Sequence, residues 1–290
     1  MSLKTSAVIS VKQGVAAKKT LAWTIAMILA IFWLFVTFTP FLFMVLNSFK
    51  EQFEMLVSGV FTLPQSLYFG NYKTVLDGAF LGYFLRSVIV TSVSLLLMVA
   101  LSSFASYPLS RMKFKMRGIL YGFIIACMSI PMHVTLIPVF KMTIDMKLYD
   151  TIWALPGPYV AFSLPMSVFI LTNFMRTIPQ EIEQAAEIDG CGKYRNFIHV
   201  ILPLSKPGIS TLCIYNGINY WNEFAFVKTL TQSAKSQTLP MALNNFKGEH
   251  SNNIPIILTV LVLAVLPMII LFCILQDKLV KGMTAGSIKG

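Results

Sequence analysis

Charge is scarce in this chain. Of its 290 residues only 12% are Asp, Glu, Lys or Arg, against about 25% in a typical soluble domain. With 56% hydrophobic residues and a mean hydropathy of +0.71, that scarcity excludes a large water-solvated fold and points to lipid as the solvent. Cysteine is sparse too. Cys127, Cys191, Cys213 and Cys273 lie far apart and form no Cys-x-x-Cys pair, so neither a metal knuckle nor a disulfide framework is expected, and small buried hydrophobes are. The three histidines sit in separate regions, which makes no metal site, and no nucleophile–His–Asp constellation stands out. No Gly-x-x-x-x-Gly-Lys-Ser/Thr loop occurs. Gly190-Cys-Gly-Lys193 comes nearest, but Glu187 replaces the first glycine and Tyr194 the hydroxyl residue, so this chain cannot cradle ATP in the P-loop manner. A cleaved leader is not expected, because the apolar run beginning at Leu21 is too long and lacks a small-residue cleavage site. There is no internal repeat and no low-complexity tract. The expectation is a chain that is not an enzyme and binds no cofactor or metal itself.

What the chain has is six apolar segments, near Leu21–Phe49, Tyr83–Ser106, Gly118–Phe140, Ile152–Met175, Gly208–Leu230 and Ile254–Leu275. Each can cross a hydrocarbon core of about 30 Å, which takes about 20 helical residues. In lipid the backbone must satisfy its own hydrogen bonds, so the expected fold is an all-α membrane protein of six transmembrane helices. Kinks are expected at Pro40, Pro131, Pro138, Pro156, Pro158, Pro165 and Pro267. The division is an N-terminal tail (1–20), a six-span domain (21–275, core 83–275) and a C-terminal tail (276–290). Of the Lys and Arg residues, fifteen fall on the side of the termini, including Arg111, Lys113, Lys115, Arg117, Arg176, Lys193, Arg195 and Lys206, and eight on the other, giving +10 against +1. The positive-inside rule places both termini in the cytoplasm. The net +11 is thereby a topology signal, and with no basic patch interleaved with aromatics, no nucleic-acid partner is expected. The outer connections are Lys50 to Gly82, with loop signals at Leu63-Pro64 and Asn71-Tyr72, a short one around Lys141–Thr151, and Thr231–Asn253, rich in Ser, Thr, Asn and Gln.

Between the fourth and fifth spans, residues 176–206 form a polar island on the basic side. Pro179 suits a helix start, Glu181 and Glu183 favour the positive end of the helix dipole, and Gly190 is a C-terminal stop. Ile182, Ala185, Ala186 and Ile188 make a narrow apolar stripe. A second helix is expected from about Lys193 to Leu202, with Phe197, Val200 and Ile201 on one side and Pro203 and Pro207 ending it. Small alanines allow close approach, so the element suits a groove in a partner protein. The alternative is a helix resting on lipid, although alanines and acids are a poor match for anionic headgroups.

The run Gln184-Ala-Ala-x-x-Asp-Gly190, then nine residues, then Val200-x-Leu202-Pro203, resembles the EAA loop of permease subunits of bacterial ABC importers. Asn47-Ser-Phe-Lys50, Leu63-Pro64 with Asn71-Tyr72, Tyr107-Pro-Leu-Ser-Arg111, Ile178-Pro179, Trp221-Asn-Glu-Phe224 and the ending Gly282-Met-Thr-Ala-Gly286 to Lys289-Gly290 resemble the maltose-type, carbohydrate-importing branch. The resemblance implies the type I importer permease fold. It also implies a coupling helix (Glu183, Gln184, Ala185, Ala186, Asp189, Gly190, with Leu202 and Pro203) seated on an ATP-binding subunit, and alternating access. The implied partners are a second homologous permease, two ATP-binding subunits that hold the ATP and Mg, an extracytoplasmic solute-binding protein and the lipid of a bacterial cytoplasmic membrane. The C-terminal tail is implied to reach between the ATPases. Gln184 departs from the usual Glu, which leaves Glu183 or Glu187 as sources of the missing charge, although Glu183 lies about 100° around the helix.

In the fifth span, Tyr215 with Asn219 and Asn216 with Tyr220 form i,i+4 pairs on adjacent faces, followed by Trp221. Polar side chains at this depth face a cavity or a partner helix. They are therefore candidates to touch a sugar or, equally, to bond helix to helix, with Trp221 as an interfacial anchor. His133 and Asn173 are weaker candidates. The expected function is binding-protein-dependent uptake of a sugar or oligosaccharide. An ion-coupled carrier is the alternative, weakened because Arg86, Glu223 and His133 are the few ionisable groups in or near the spans. A non-transporting scaffold is another.

Overall fold

Long apolar runs without internal caps make long helices, and the polar breaks between them decide where each ends. The computed structural model describes residues 2–249 and 253–287, without the side chains of 2–22, 247, 249 and 275–287. Along the chain the helices are α1 (Ser2–Ser48), α2 (Gln52–Ser58), α3 (Gly70–Asp77), α4 (Phe80–Arg111), α5 (Arg117–Ala126), α6 (Leu136–Asp145), α7 (Pro156–Thr177), α8 (Gln180–Ile188), α9 (Lys193–Asn196), α10 (Leu202–Leu204), α11 (Lys206–Asn222), α12 (Ala225–Leu230), α13 (Leu239–Glu249) and α14 (Ile254–Ser287). No strand occurs among the described residues. Four stretches, Trp23–Ser48, Phe80–Arg111, Ile152–Thr177 and Ile254–Ile274, are long and apolar enough to cross a membrane unbroken, and two bent pairs raise the number to six.

The first bent pair makes the kink expected at Pro131 a full break in the third span. Arg117–Ser129 and Met132–Asp145 meet at 86°. Pro131 cannot donate a hydrogen bond and drives Ile130 extended (φ −79°, ψ 115°), so the helix must stop there. The fifth span is also shorter than expected. It ends at Asn222, and α12 starts afresh after Glu223 and Phe224. The Glu223 carboxylate accepts from the Phe226 N–H at 3.0 Å and the Val227 N–H at 3.3 Å, capping the new helix. Ahead of that span, Lys193–Leu204 and Lys206–Asn222 meet at 67°, with a π-helical turn at Phe197–Ile201. Pro203 does not end the second island helix but sits in α10, and Pro207 starts α11. Pro40, Pro165 and Pro267 lie inside unbroken helices. The chain already helical from Ser2 runs straight into the first span. At the other end α14 continues through Gly282–Gly286 to Ser287, while Lys289 and Gly290 lie outside the described residues.

α4 and α7 form the most intimate helix pair, joined by α11, which packs on α14; α14 in turn packs on α1. Ser94, Ser102, Ser103, Ser106 and Ser110 of α4 are buried. Small residues at helical spacing let backbones approach closely in lipid, and the Ser106 hydroxyl reaches the Val168 carbonyl of α7 at 3.3 Å. None of the four cysteines is buried. Cys273 is exposed and the others half-buried, because a lone bundle presents much of its apolar surface outward.

The end of the bundle away from Arg111–Arg117 is closed by polar knots. Lys50 is 0% exposed. Its ammonium donates to the Gly59 carbonyl at 3.0 Å and the Thr62 hydroxyl at 3.1 Å. The Asn71 amide donates to the Ser48 and Lys50 carbonyls at 2.9 and 2.8 Å, and Ser48 and Tyr72 share a hydrogen bond at 2.7 Å. The Asn47–Lys50 and Asn71-Tyr72 motifs are thus one knot at the end of α1. The third connection, polar by composition, contains α13, anchored through Leu239, Met241, Ala242 and Phe246. Arg86 donates to the Gln237 and Ala234 carbonyls at 2.6 and 2.8 Å, holding that connection in place.

Asp150 ties the second connection to the third. Its Oδ1 accepts from the Gln232 and Ser233 N–H groups at 2.7 and 2.8 Å and from the Ser233 and Ser236 hydroxyls. The Ser236 hydroxyl, followed by these other donors, brings the carboxyl down from 3.8 to about 2. Asp150→Ala is expected to cost about 1 kcal/mol at pH 7, the low end because the site is partly solvated, read as a lower unfolding temperature in detergent. A depressed carboxyl stabilises fully above its unfolded value and loses that contribution as pH falls through the folded one. The gap between wild type and variant therefore closes between about pH 4 and about pH 2. A gap that persists unchanged at the lower end contradicts this assignment.

Candidate functional site

Two places combine the candidate polar side chains with open space. The first is the island at the basic end. α8 follows Pro179, whose extended backbone (φ −56°, ψ 138°) fits the cap position, and carries Glu181 and Glu183 in its first turn. It ends in a Schellman motif. The Cys191 N–H reaches the Ala186 carbonyl at 2.9 Å and the Gly190 N–H the Glu187 carbonyl at 3.0 Å, with Gly190 at φ +84° as this motif requires. The stripe read from the sequence faces outward. Ile182 is 39% and Ile188 86% exposed, and Ala185, Gln184, Asp189 and Gly190 are exposed as well. Ala186 is half-buried. Leu202 is half-buried against the α4–α7–α11 core, and Pro203 is exposed.

Glu183 departs from the expectation that it supplies a charge to a partner. Its Oε2 lies 3.3 Å from Nε of Arg111, the last residue of α4, with the two side chains 14% and 4% exposed. The Tyr107 hydroxyl lies 3.5 Å from its Oε1 and 3.3 Å from the Lys193 carbonyl. Burial pushes the Glu183 carboxyl up, opposed by the Arg111 charge and reinforced by Glu187. Desolvation outweighs the ion pair, so the pair fixes geometry and adds little stability. Glu183 therefore belongs to this chain's own packing. Glu183, with Arg111 and Tyr107, forms one wall of an open cleft of about 380 Å³ that Gln184, Glu187, Lys113, Gln180 and Lys193 also line. The part played by Arg111 was not read from the sequence. Its signal was the place of a cation in the last turn of a long apolar helix, where free carbonyls need donors.

The second place is a cavity of about 570 Å³ between α7, α11 and the break in the third span. It unites Tyr215, Asn216, Asn219 and Tyr220 with Tyr159, Phe162, Ser163, Met132, His133, Glu223 and Phe224. The two i,i+4 pairs divide in role. Asn216 is 2% exposed and its amide donates to the Ser167 hydroxyl and the Leu212 carbonyl, both at 3.1 Å. Tyr220 stacks on Tyr159 at 5.3 Å and 17° and shares a short hydrogen bond with Ser163. The Tyr159 hydroxyl donates to Glu223 at 3.2 Å. These groups hold helix to helix. Tyr215 and Asn219 are exposed and free to face an occupant.

Trp221 does not join them and is not an interfacial anchor. It is buried, its Nε1 donates to the Ala264 carbonyl at 3.2 Å, its ring meets Phe84 edge-on at 5.7 Å, and it lines a separate cavity of about 470 Å³ with Leu239, Leu261 and Met268. His133, expected inside a continuous span, sits exposed in the turn at the break, and Asn173 lies outside the cavity lining. Tyr159 and Ser163 carried no signal in the sequence, since nothing distinguishes their face of α7 until α11 is laid against it.

A family model described as the inner membrane component of binding-protein-dependent transport systems matches residues 98–285. The chain belongs to this family. Among its relatives, a putative ABC transporter permease protein (ORF2) of Caldicellulosiruptor sp. is 48% identical over 89% of this chain and 94% of its own length. The melibiose/raffinose/stachyose import permease protein MelC of Bacillus subtilis is 32% identical over 87% of this chain and 92% of its own. Among solved structures, a chain of a bacterial ABC transporter importing the acidic polysaccharide alginate superposes with a TM-score of 0.78 at 20% identity, covering 90% of this chain and 97% of that one. The all-α permease fold is thereby established for this family member, and the chain is a transporter subunit.

Gly190→Ala should test the stop after α8. A Cβ there meets nothing within 4 Å, so the whole cost is the left-handed backbone, about 1 kcal/mol. The expected outcome is faster amide exchange at residues 188–192, with the unfolding temperature of the bundle unchanged. Unaltered exchange speaks against the motif.

Proposed function

We propose that this chain is the transmembrane permease subunit of an ATP-driven, binding-protein-dependent importer of a sugar or oligosaccharide. The observation that carries the reading is the outward apolar face of α8, where Ile182, Ala185 and Ile188 are exposed on an otherwise charged surface, which suits a groove in another protein. We assign that groove to an ATP-binding subunit, two copies of which hold the ATP and Mg that no motif in this chain could cradle. Gln184, Ala185, Ala186, Asp189 and Gly190 are the docking residues, and Glu183 acts from behind. The basic end is cytoplasmic, with both termini on that side of a bacterial cytoplasmic membrane. A second, homologous permease completes the pore, and an extracytoplasmic binding protein delivers the substrate to the end closed by the Lys50 and Asp150 knots.

The cavity supports a saccharide. Its size falls within the range of about 300–1,000 Å³ usual for ligand pockets. Its wall offers aromatic faces for C–H groups, and Tyr215 and Asn219 for hydroxyls. Several of the relatives are named for sugar uptake, among them MelC and a diacetylchitobiose permease of Streptomyces coelicolor. Alternating access follows if closure of the ATP-binding subunits displaces α8 and re-aims the cavity.

Co-purification tests the docking. Ala186→Glu should release the ATP-binding subunit from the detergent-solubilised complex while the chain itself stays folded. Sugar uptake that survives without any ATP-binding subunit overturns the proposal. The cavity has its own test. Asn219→Ala and Tyr215→Phe should lower uptake by about tenfold through lost hydrogen bonds at unchanged thermal stability. Asn216→Leu should instead lower stability, by about 1–3 kcal/mol. Wild-type uptake in the first two variants removes direct substrate contact from this chain.

A further inference from the structure

The helix α8 must pass any displacement to the bundle, and the described contacts show by what route. Along the chain it leads through α9 to the π-helical turn at Phe197–Ile201 and a 67° bend. That connection is bent, and it packs on α4 in its own right, with the Phe197 ring 4.8 Å from that of Tyr107 and Ile201 fully buried. Across space the link is short, an ion pair at Nε, which makes no hydrogen bond, beside two backbone hydrogen bonds from Nη2. The guanidinium of Arg111, its side chain 4% exposed, faces Glu183 of α8 with Nε 3.3 Å from Oε2. Its Nη2 donates to the Met175 carbonyl in the last turn of α7 and to the Ile178 carbonyl at 2.7 Å. Arg111 is itself the last residue of α4, whose terminal carbonyls are held by neighbouring cations. Arg117 donates to Leu109 at 2.8 Å, and Arg176 reaches the same oxygen at 3.4 Å. One planar group therefore joins α8 to the ends of the two helices that pack most closely in the bundle.

We propose that Arg111 is the positioning residue that makes α8, α4 and α7 move as one body, so that a push on α8 reaches the cavity through α7 as well as along the bent α9–α11 connection. The inference rests on the reading of α8 as the element that docks on an ATP-binding subunit. A fixed fork is needed for this role. Lysine keeps the charge but offers a flexible point donor that cannot hold a carboxylate and two carbonyls at set angles. Breaking the pair also leaves a buried group uncompensated, which is costly.

The test uses the assembled importer in lipid, with spin labels on Glu181→Cys of α8 and Phe104→Cys of α4 in a background lacking the four native cysteines. Both positions are exposed. Distances are measured without nucleotide and after trapping with ATP and vanadate. With Arg111 present the distance distribution should stay narrow and unmoved between the two states. In Arg111→Lys it should broaden and shift on trapping, while ATP hydrolysis by the complex is retained. Glu183→Gln, close to isosteric, should reproduce the effect and carries the test if Arg111→Lys assembles poorly. A distribution as narrow and unmoved as wild type in both variants overturns the proposal. Loss of the ATP-binding subunit from the variants alone overturns it too, by placing Arg111 in docking. A subunit that fails to associate even with the unsubstituted chain overturns the docking reading, and the strut with it.

Discussion

Hydrocarbon offers no partner for a backbone N–H or C=O, and the interruptions in this bundle are arranged around that fact. A helix can break at membrane depth only where the chain supplies the missing donor or acceptor. Glu223 does so for the start of α12, accepting from Phe226 and Val227. Arg111 and Arg117 do so for the open carbonyls at the ends of α7 and α4. Asn71 and Lys50 do so where α1 gives way to the first outer connection. Each of these side chains bonds to backbone that the helix ends leave open.

The same constraint explains which features were readable from residues alone. The spans and the all-α fold follow from hydropathy, because lipid filters composition so strongly. The stop at Gly190 was readable because a left-handed position has few tenants. The breaks were readable only in part. Pro131 announced a kink but not one of 86°, since the angle depends on what receives the freed groups. The end of α11 at Asn222 was hidden because Phe224–Leu230 is as apolar as the helix before it. What distinguishes the two is a single carboxylate, and a glutamate reads the same whether it caps a helix or faces a pore. The helix α13 was hidden by the reverse effect, with polar neighbours masking the spacing of Leu239, Ala242 and Phe246.

At the candidate sites, residue type was legible and orientation was not. The island on the basic side, its stripe and its stop stand where the pattern put them. Glu183 turned inward because Arg111, seventy-odd positions earlier in the sequence, waits at the end of α4. Contacts at that separation leave no local trace. In the fifth span, the i,i+4 pairing correctly separated two faces, but only the packing of α7 decides that Asn216 and Tyr220 belong to the bundle while Tyr215 and Asn219 do not. Trp221 looked amphipathic and exposed by type, yet the approach of α14 gives its indole N–H a carbonyl of its own.

That division of α11 has a consequence for how such proteins diversify. One face of the helix carries the architecture, and the other contributes little to it. Changes at Tyr215 or Asn219 leave the Asn216–Ser167 bond and the Tyr159–Tyr220 stack untouched. If, as proposed, Tyr215 and Asn219 meet the substrate, a lineage can alter what its pore prefers one substitution at a time, without first finding a compensating change in the scaffold.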